Sequence, residues 1–133
     1  MPMLSELATY LGTQSLGTLG TDLFLSTLRD SPPACTVLIV RPGMQGLRVQ
    51  DIAGEAIERP AVDVLVRGTS AGFEAAMTRA HAIWAALAQV TNMTLTGTRY
   101  QCIEPLSPPA DQGRDAHDRP LLGFRCLVTK APS

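Results

Sequence analysis

Leu4, Leu7, Ala8 and Leu11 fall at i, i+3, i+4 and i+7, which predicts a short N-terminal helix that Gly12 is placed to close. Gly-Thr then recurs at 12–13, 17–18 and 20–21, a density that reads as a bending connection. The apolar run at 22–28 predicts a first strand, which the proline pair Pro32-Pro33 separates from a second at 34–40. That second run is apolar on both faces, so both are expected to be covered. Residues 43–58 mix Leu47, Val49 and Ile52 with glycines that interrupt any period, and are read as a flap or extended hairpin.

The clearest alternation lies at 61–67. Val62, Val64 and Val66 point one way, and Ala61, Asp63, Leu65 and Arg67 the other. The second set carries charges that need water or a partner. Gly68 turns the chain, Thr69 or Ser70 is placed to cap a helix, and Glu74 stands near its positive end. Phe73, Met77, Ala80, Trp84 and Leu87 form one helical stripe, widened by Ala76 and Ile83. Trp84 sits in the middle of that stripe and is expected to be buried. The opposite side is rich in alanine, which simple helix propensity explains. A strand is predicted at 98–106, a proline-led polar loop at 107–119, and a closing strand at 121–129 with Leu122, Phe124, Cys126 and Val128 on one face. The fold class expected is α+β. A mainly antiparallel sheet packs on one long amphipathic helix, with a short N-terminal helix and a long flap, in a single domain over 1–133.

Composition narrows the chemistry. The net charge is −1, which offers no electrostatic footprint for nucleic acid or an anionic membrane. No apolar run has the length of a membrane helix, and the N-terminal stretch carries Glu6 and no basic region, so a secretory signal is not expected. The 3 cysteines, Cys35, Cys102 and Cys126, form no CxxC pair, and each lies in a strand pattern that suits a small buried hydrophobe. Metal-type ligands gather only at Asp111, Asp115, His117 and Asp118. Arg114 and Arg119 stand among them, so these charges are expected to pair with one another or with a neighbouring chain, and no metal is expected. His81 lies at the edge of the apolar stripe with no acid or cysteine nearby, the setting of a structural histidine. There is no P-loop and no GxGxxG after a strand, and the G-x-S-x-G match at Gly68-Thr69-Ser70-Ala71-Gly72 is read as the turn that caps the helix. Nothing in the residues supports catalysis or a cofactor.

Three segments, in order, resemble the tail terminator family of tailed bacteriophages, also called minor capsid or tail completion proteins. They are "ERPAVDVLVRG" (58–68) running into the helix, "LTGTRYQCIEPLSPP" (95–109), and "GRDAHDRPLLGFRCLV" (113–128). "VLIVRPG" (37–43) also fits, and the likeness covers roughly 35–128. It departs at "GFRC" (123–126), where related sequences often have an aromatic followed by asparagine.

The resemblance implies a structural virion protein that is not an enzyme and has no cofactor. It implies a ring, with six copies expected, that binds the head-proximal end of the tail tube, stops its growth and joins the tail to the head-side connector protein. Genomic DNA would pass through such a ring without sequence-specific binding, and no membrane is involved. Assembly would take place in the host cytoplasm. The surfaces expected to meet neighbours are the flap, with Gln45, Leu47, Arg48, Val49 and Asp51, and a charged set of Arg67, Asp111, Arg114, Asp115, Asp118 and Arg119. Another head–tail connector ring is the nearer alternative. A small-molecule-binding or enzymatic α+β domain is the more distant one.

Overall fold

The computed structural model describes residues 3–30, 32–48 and 56–131. Among them run α1 (Met3–Thr13), β1 (Leu23–Leu25), β2 (Cys35–Arg48), β3 (Ala56–Arg67), α2 (Phe73–Ala88), β4 (Thr91–Leu95), β5 (Thr98–Pro105), β6 (Ala110–Arg114) and β7 (Pro120–Lys130). The strands form one sheet in the order β1-β2-β3-β7-β5-β4, with β6 also paired to β7. Every pairing is antiparallel except that of β1 with β2.

The helices share one face of the sheet. Leu38, Val62, Val64, Val66, Leu122, Phe124, Cys126 and Val128 join Leu7, Leu11, Ala80, Ile83 and Leu87 in a single buried cluster. Phe24, Cys35 and Val37 make a smaller cluster with Leu65 and Ile39 packed against it. Polar ties fix the helices in place. The Tyr10 hydroxyl donates to the Ala86 carbonyl at 2.9 Å, joining α1 to α2. Glu6, fully buried, accepts from Thr98 Oγ1 at 2.6 Å and the Tyr100 hydroxyl at 2.8 Å, joining α1 to β5. Burial and the Glu6 carboxylate both push the Tyr100 phenol well above its usual pKa, which keeps it a donor.

Several expectations need correction. α1 runs past Gly12, and the left-handed residue after it is Ser15, with φ 60°. β1 is only three residues of the predicted 22–28 run. The N-cap of α2 is Gly72, with no side-chain cap from Thr69 or Ser70. β4 is an additional edge strand that the polar composition of 91–95 concealed, and β6 lies inside the predicted loop 107–119, with all five residues exposed.

The buried face of α2 is also rotated. It carries Ala76, Ala80, Ile83, Ala86 and Leu87, whereas Phe73 is exposed and Trp84 only half-buried. Alanine lets the helix lie close to the sheet. The larger ring of Trp84 is displaced to the edge, where its Nε1 donates to the Ser107 carbonyl at 3.2 Å and it stands in a T-shaped contact with the His81 ring. Trp84→Ala is therefore expected to cost about 1 to 2 kcal/mol, below the range of a fully buried aromatic. Ile83→Ala, at a fully buried site, should cost about 2 to 5 kcal/mol. Urea unfolding of the two variants checks the order, and a larger loss at Trp84 would refute it.

Candidate assembly surface

The flap read from the sequence is entered by paired strands from both sides. β1 accompanies β2 only as far as Leu38, while β2 and β3 stay paired out to Leu47 with Ile57 and Arg48 with Ala56. The register shifts twice on the way, at Arg41/Met44 and at Met44/Leu47. Gly43 lies at the first shift, where a Cβ would collide with the Arg59 carbonyl oxygen. The glycine within the strand here permits its bulge. Gln45, Leu47 and Arg48 belong to β2, whereas Val49 and Asp51 lie outside the described residues.

The charged set divides in two. Arg67, Asp115 and Arg119 come together beneath the turn that follows β1. Arg67 is 2% exposed; its Nε donates to the Pro33 carbonyl and its Nη2 to the Pro32 carbonyl, both at 2.8 Å. Its Nη1 lies 3.8 Å from Asp115 Oδ2. Arg119, 7% exposed, donates from Nε to Asp115 Oδ2 at 2.8 Å and from Nη1 to the Asp30 carbonyl at 2.6 Å. Its Nη2 makes no hydrogen bond and stands 3.8 Å from Asp30 Oδ1. Asp115 also accepts from the backbone N–H groups of His117 and Arg119, both at 2.9 Å. Desolvation alone would raise its pKa, but these hydrogen bonds and the Arg119 guanidinium outweigh it and hold the carboxyl below the usual range. The knot thus holds the carbonyls of Asp30, Pro32 and Pro33 ahead of β2, and secures the segment 115–119 through Asp115.

Asp111, Arg114 and Asp118 remain at the surface. Asp111 accepts from the Gly113 N–H at 2.8 Å, and Arg114 Nη1 donates to the Asp118 carbonyl at 2.7 Å and the Ser70 carbonyl at 3.3 Å. The Asp118 carboxylate is 81% exposed and 3.7 Å from Arg114.

A charged group that the reading of individual segments missed lies on the helix-free face of the sheet. Asp63 on β3 sits opposite Arg125 on β7. Arg125 donates to it from Nε at 2.6 Å and Nη2 at 3.2 Å, and Arg41 Nε from β2 adds a third bond at 3.0 Å. Asp63 already stood out as a charge facing away from the core. Only the register of three strands shows which cations meet it. The Arg125 bond, opposed by partial burial and reinforced by Arg41, lowers the Asp63 pKa. A depressed folded-state pKa contributes stability above the unfolded value and loses it as pH falls through the folded value. Asp63→Asn should therefore flatten the loss of stability below about pH 4 while lowering stability at neutral pH. An unchanged acid limb in pH-dependent melting would contradict this. Beside the triad, Leu65, Ser107, Ala110, Gln112 and Gly123 line a concavity of about 300 Å³.

Cys35 and Cys126 are buried and Cys102 half-buried, without a disulfide among them. Among the described residues, no helix is long and apolar enough to cross a membrane.

Comparison with known proteins supplies the context for this geometry. A segment of 87 residues is 33% identical to histidine–tRNA ligase of Bordetella pertussis, covering 65% of this chain and 20% of the ligase, and the Bordetella parapertussis enzyme gives the same figures. The chain thus spans about a fifth of the length of these curated relatives. A chain from the virion of a native gene transfer agent particle superimposes with a TM-score of 0.61 at 18% identity, over 98% of this chain and 95% of that one, and so shares the fold. The family described as bacteriophage tail terminator protein matches residues 10–129, from within α1 almost to the end of β7. The chain therefore belongs to the bacteriophage tail terminator family and is a structural protein of the phage tail.

Proposed function

We propose that the chain, as a single domain, forms a ring that caps the head-proximal end of the tail tube, stops its polymerisation and presents a face to the head-side connector. The family match carries this reading. β2 and β3 stay paired at Leu47 with Ile57 and Arg48 with Ala56, just past Glu58, the last β3 residue that β7 accompanies, and this supports it, because the end of a paired arm can reach a neighbour. The ring has six copies joined head to tail, one surface of each meeting a different surface of the next. DNA passes through it without sequence-specific contacts.

The contacts fall on Gln45, Leu47, Arg48, Val49 and Asp51 of the hairpin and on the exposed Asp111, Arg114 and Asp118. Arg67, Asp115 and Arg119 contribute by holding the loops that present them, as a rigid scaffold presents functional loops. The test is to mix the purified protein with tail tubes of fixed length and image the ends. Capped ends that no longer elongate when tube protein is added are expected. Tube ends left bare at saturating protein would refute the terminator reading, and binding to the connector alone would assign the ring to the head side.

A further inference from the structure

The base of the β2–β3 arm is interrupted on both of its sides. β2 shifts register at Arg41/Met44 and again at Met44/Leu47. β3 runs in register with β7 from Arg67 to Ala61, and meets it once more at Glu58 with Lys130. Pro60 lies between these points and has no N–H to donate. A two-stranded ribbon is marginal on its own and twists strongly, so backbone pairing alone fixes the direction of the arm weakly.

The last rung between β3 and β7 carries an ion pair. Lys130 Nζ stands 3.1 Å from Glu58 Oε2 and donates to the Ala131 carbonyl at 3.0 Å. Lys130 is 2% exposed, whereas the Glu58 side chain is 48% exposed. The pattern of β7 calls for an apolar residue here, since Leu122, Phe124, Cys126 and Val128 on the same face all enter the core. A buried lysine costs desolvation that a leucine at this position would not. Lys130 is also in register with Tyr100, whose hydroxyl donates to Glu6. Glu58, Lys130 and Tyr100 thus form one row across the sheet, and the row ends on α1.

We propose that Lys130 is a positioning residue for assembly: its ammonium pins Glu58 and so sets the direction in which the arm leaves the sheet toward the next copy. Apolar groups of similar volume often replace a buried ion pair without loss of stability, and the pair then acts on the choice among conformations. This inference rests on the ring reading above.

The experiment uses the full chain in a Cys102→Ser background, with spin labels at Gln45→Cys on the arm and Gln89→Cys after α2. Cys35 and Cys126 are buried and stay unlabelled. Pulsed dipolar spectroscopy should give one narrow distance distribution in this parent, and a broadened or displaced one in Lys130→Met and in Glu58→Leu. Unfolding of both variants should remain cooperative; Glu58 is half-exposed, so its variant removes the pair without opening the core. In the unlabelled chain, the same two substitutions should lower the fraction of capped tube ends about tenfold, the effect of a modestly misplaced contact. A parent-like distance distribution in either folded variant overturns the proposal, and so does full capping by a variant whose arm has moved. Both results leave the terminator reading standing. Failure of the wild-type protein to cap tubes overturns the terminator reading itself, while the distances still decide whether Lys130 directs the arm.

Discussion

Arg67→Ala is expected to lower stability by about 3 to 5 kcal/mol, an unusual loss for a charged residue. The side chain is 2% exposed and holds the 32–33 carbonyls through two hydrogen bonds of 2.8 Å. A hydrogen bond from a charged donor contributes roughly 1.5 to 3 kcal/mol, and the aliphatic stem adds packing that alanine cannot replace. Asp115 keeps its closer bond to Arg119, so the variant loosens Pro32 and Pro33 without stranding a carboxylate. Lysine is a poor substitute, because a single ammonium cannot reproduce a fork that reaches two carbonyls at once. Urea unfolding with an unchanged m-value is the measurement. A loss below about 1 kcal/mol would show that the turn is held without Arg67.

The second large effect is functional. A variant lacking Gln45 to Glu55 should fold with near-wild-type stability and cap no tubes. The remaining register from Ile39 with Asp63 to Met44 with Arg59 joins the hairpin to the sheet. Thermal unfolding should therefore remain cooperative and close to wild type, while negative-stain images show bare ends. Normal capping by this variant would remove the hairpin from assembly and leave the loop surface as the contact.

The sequence revealed the elements whose pattern is enforced by burial. β3 and β7 alternate cleanly because one face of each packs under the helices, and both were legible from valine, leucine and phenylalanine spacing alone. β4 and β6 were not, because an edge strand exposed to water needs backbone partners and carries no hydrophobic signature; Thr91–Leu95 and Ala110–Arg114 read as loop. The rotation of α2 escaped for a related reason. A helical wheel gives weight to large side chains, whereas close approach to the sheet favours Ala76 and Ala80 and moves Trp84 outward. The sequence marks Arg67, Asp115 and Arg119 only as charges that need partners. That Arg67 and Arg119 bind their own chain, at the carbonyls of Pro32, Pro33 and Asp30, depends on contacts across more than thirty residues that no local spacing encodes.

The carboxylate of Glu6 finds its two donors 92 and 94 residues later in the chain. α1 leaves the ribosome well before the strand that satisfies its buried acid. Native contacts of that range are closed late, since loop entropy must be offset before they are rewarded. A nascent chain that ends before β5 therefore has a helix with an unsatisfied acidic group on its apolar face, and cannot dock it stably. Folding of this protein is committed only after β5 has been synthesised, and a chain cut short before Thr98 remains a target for chaperones and proteases.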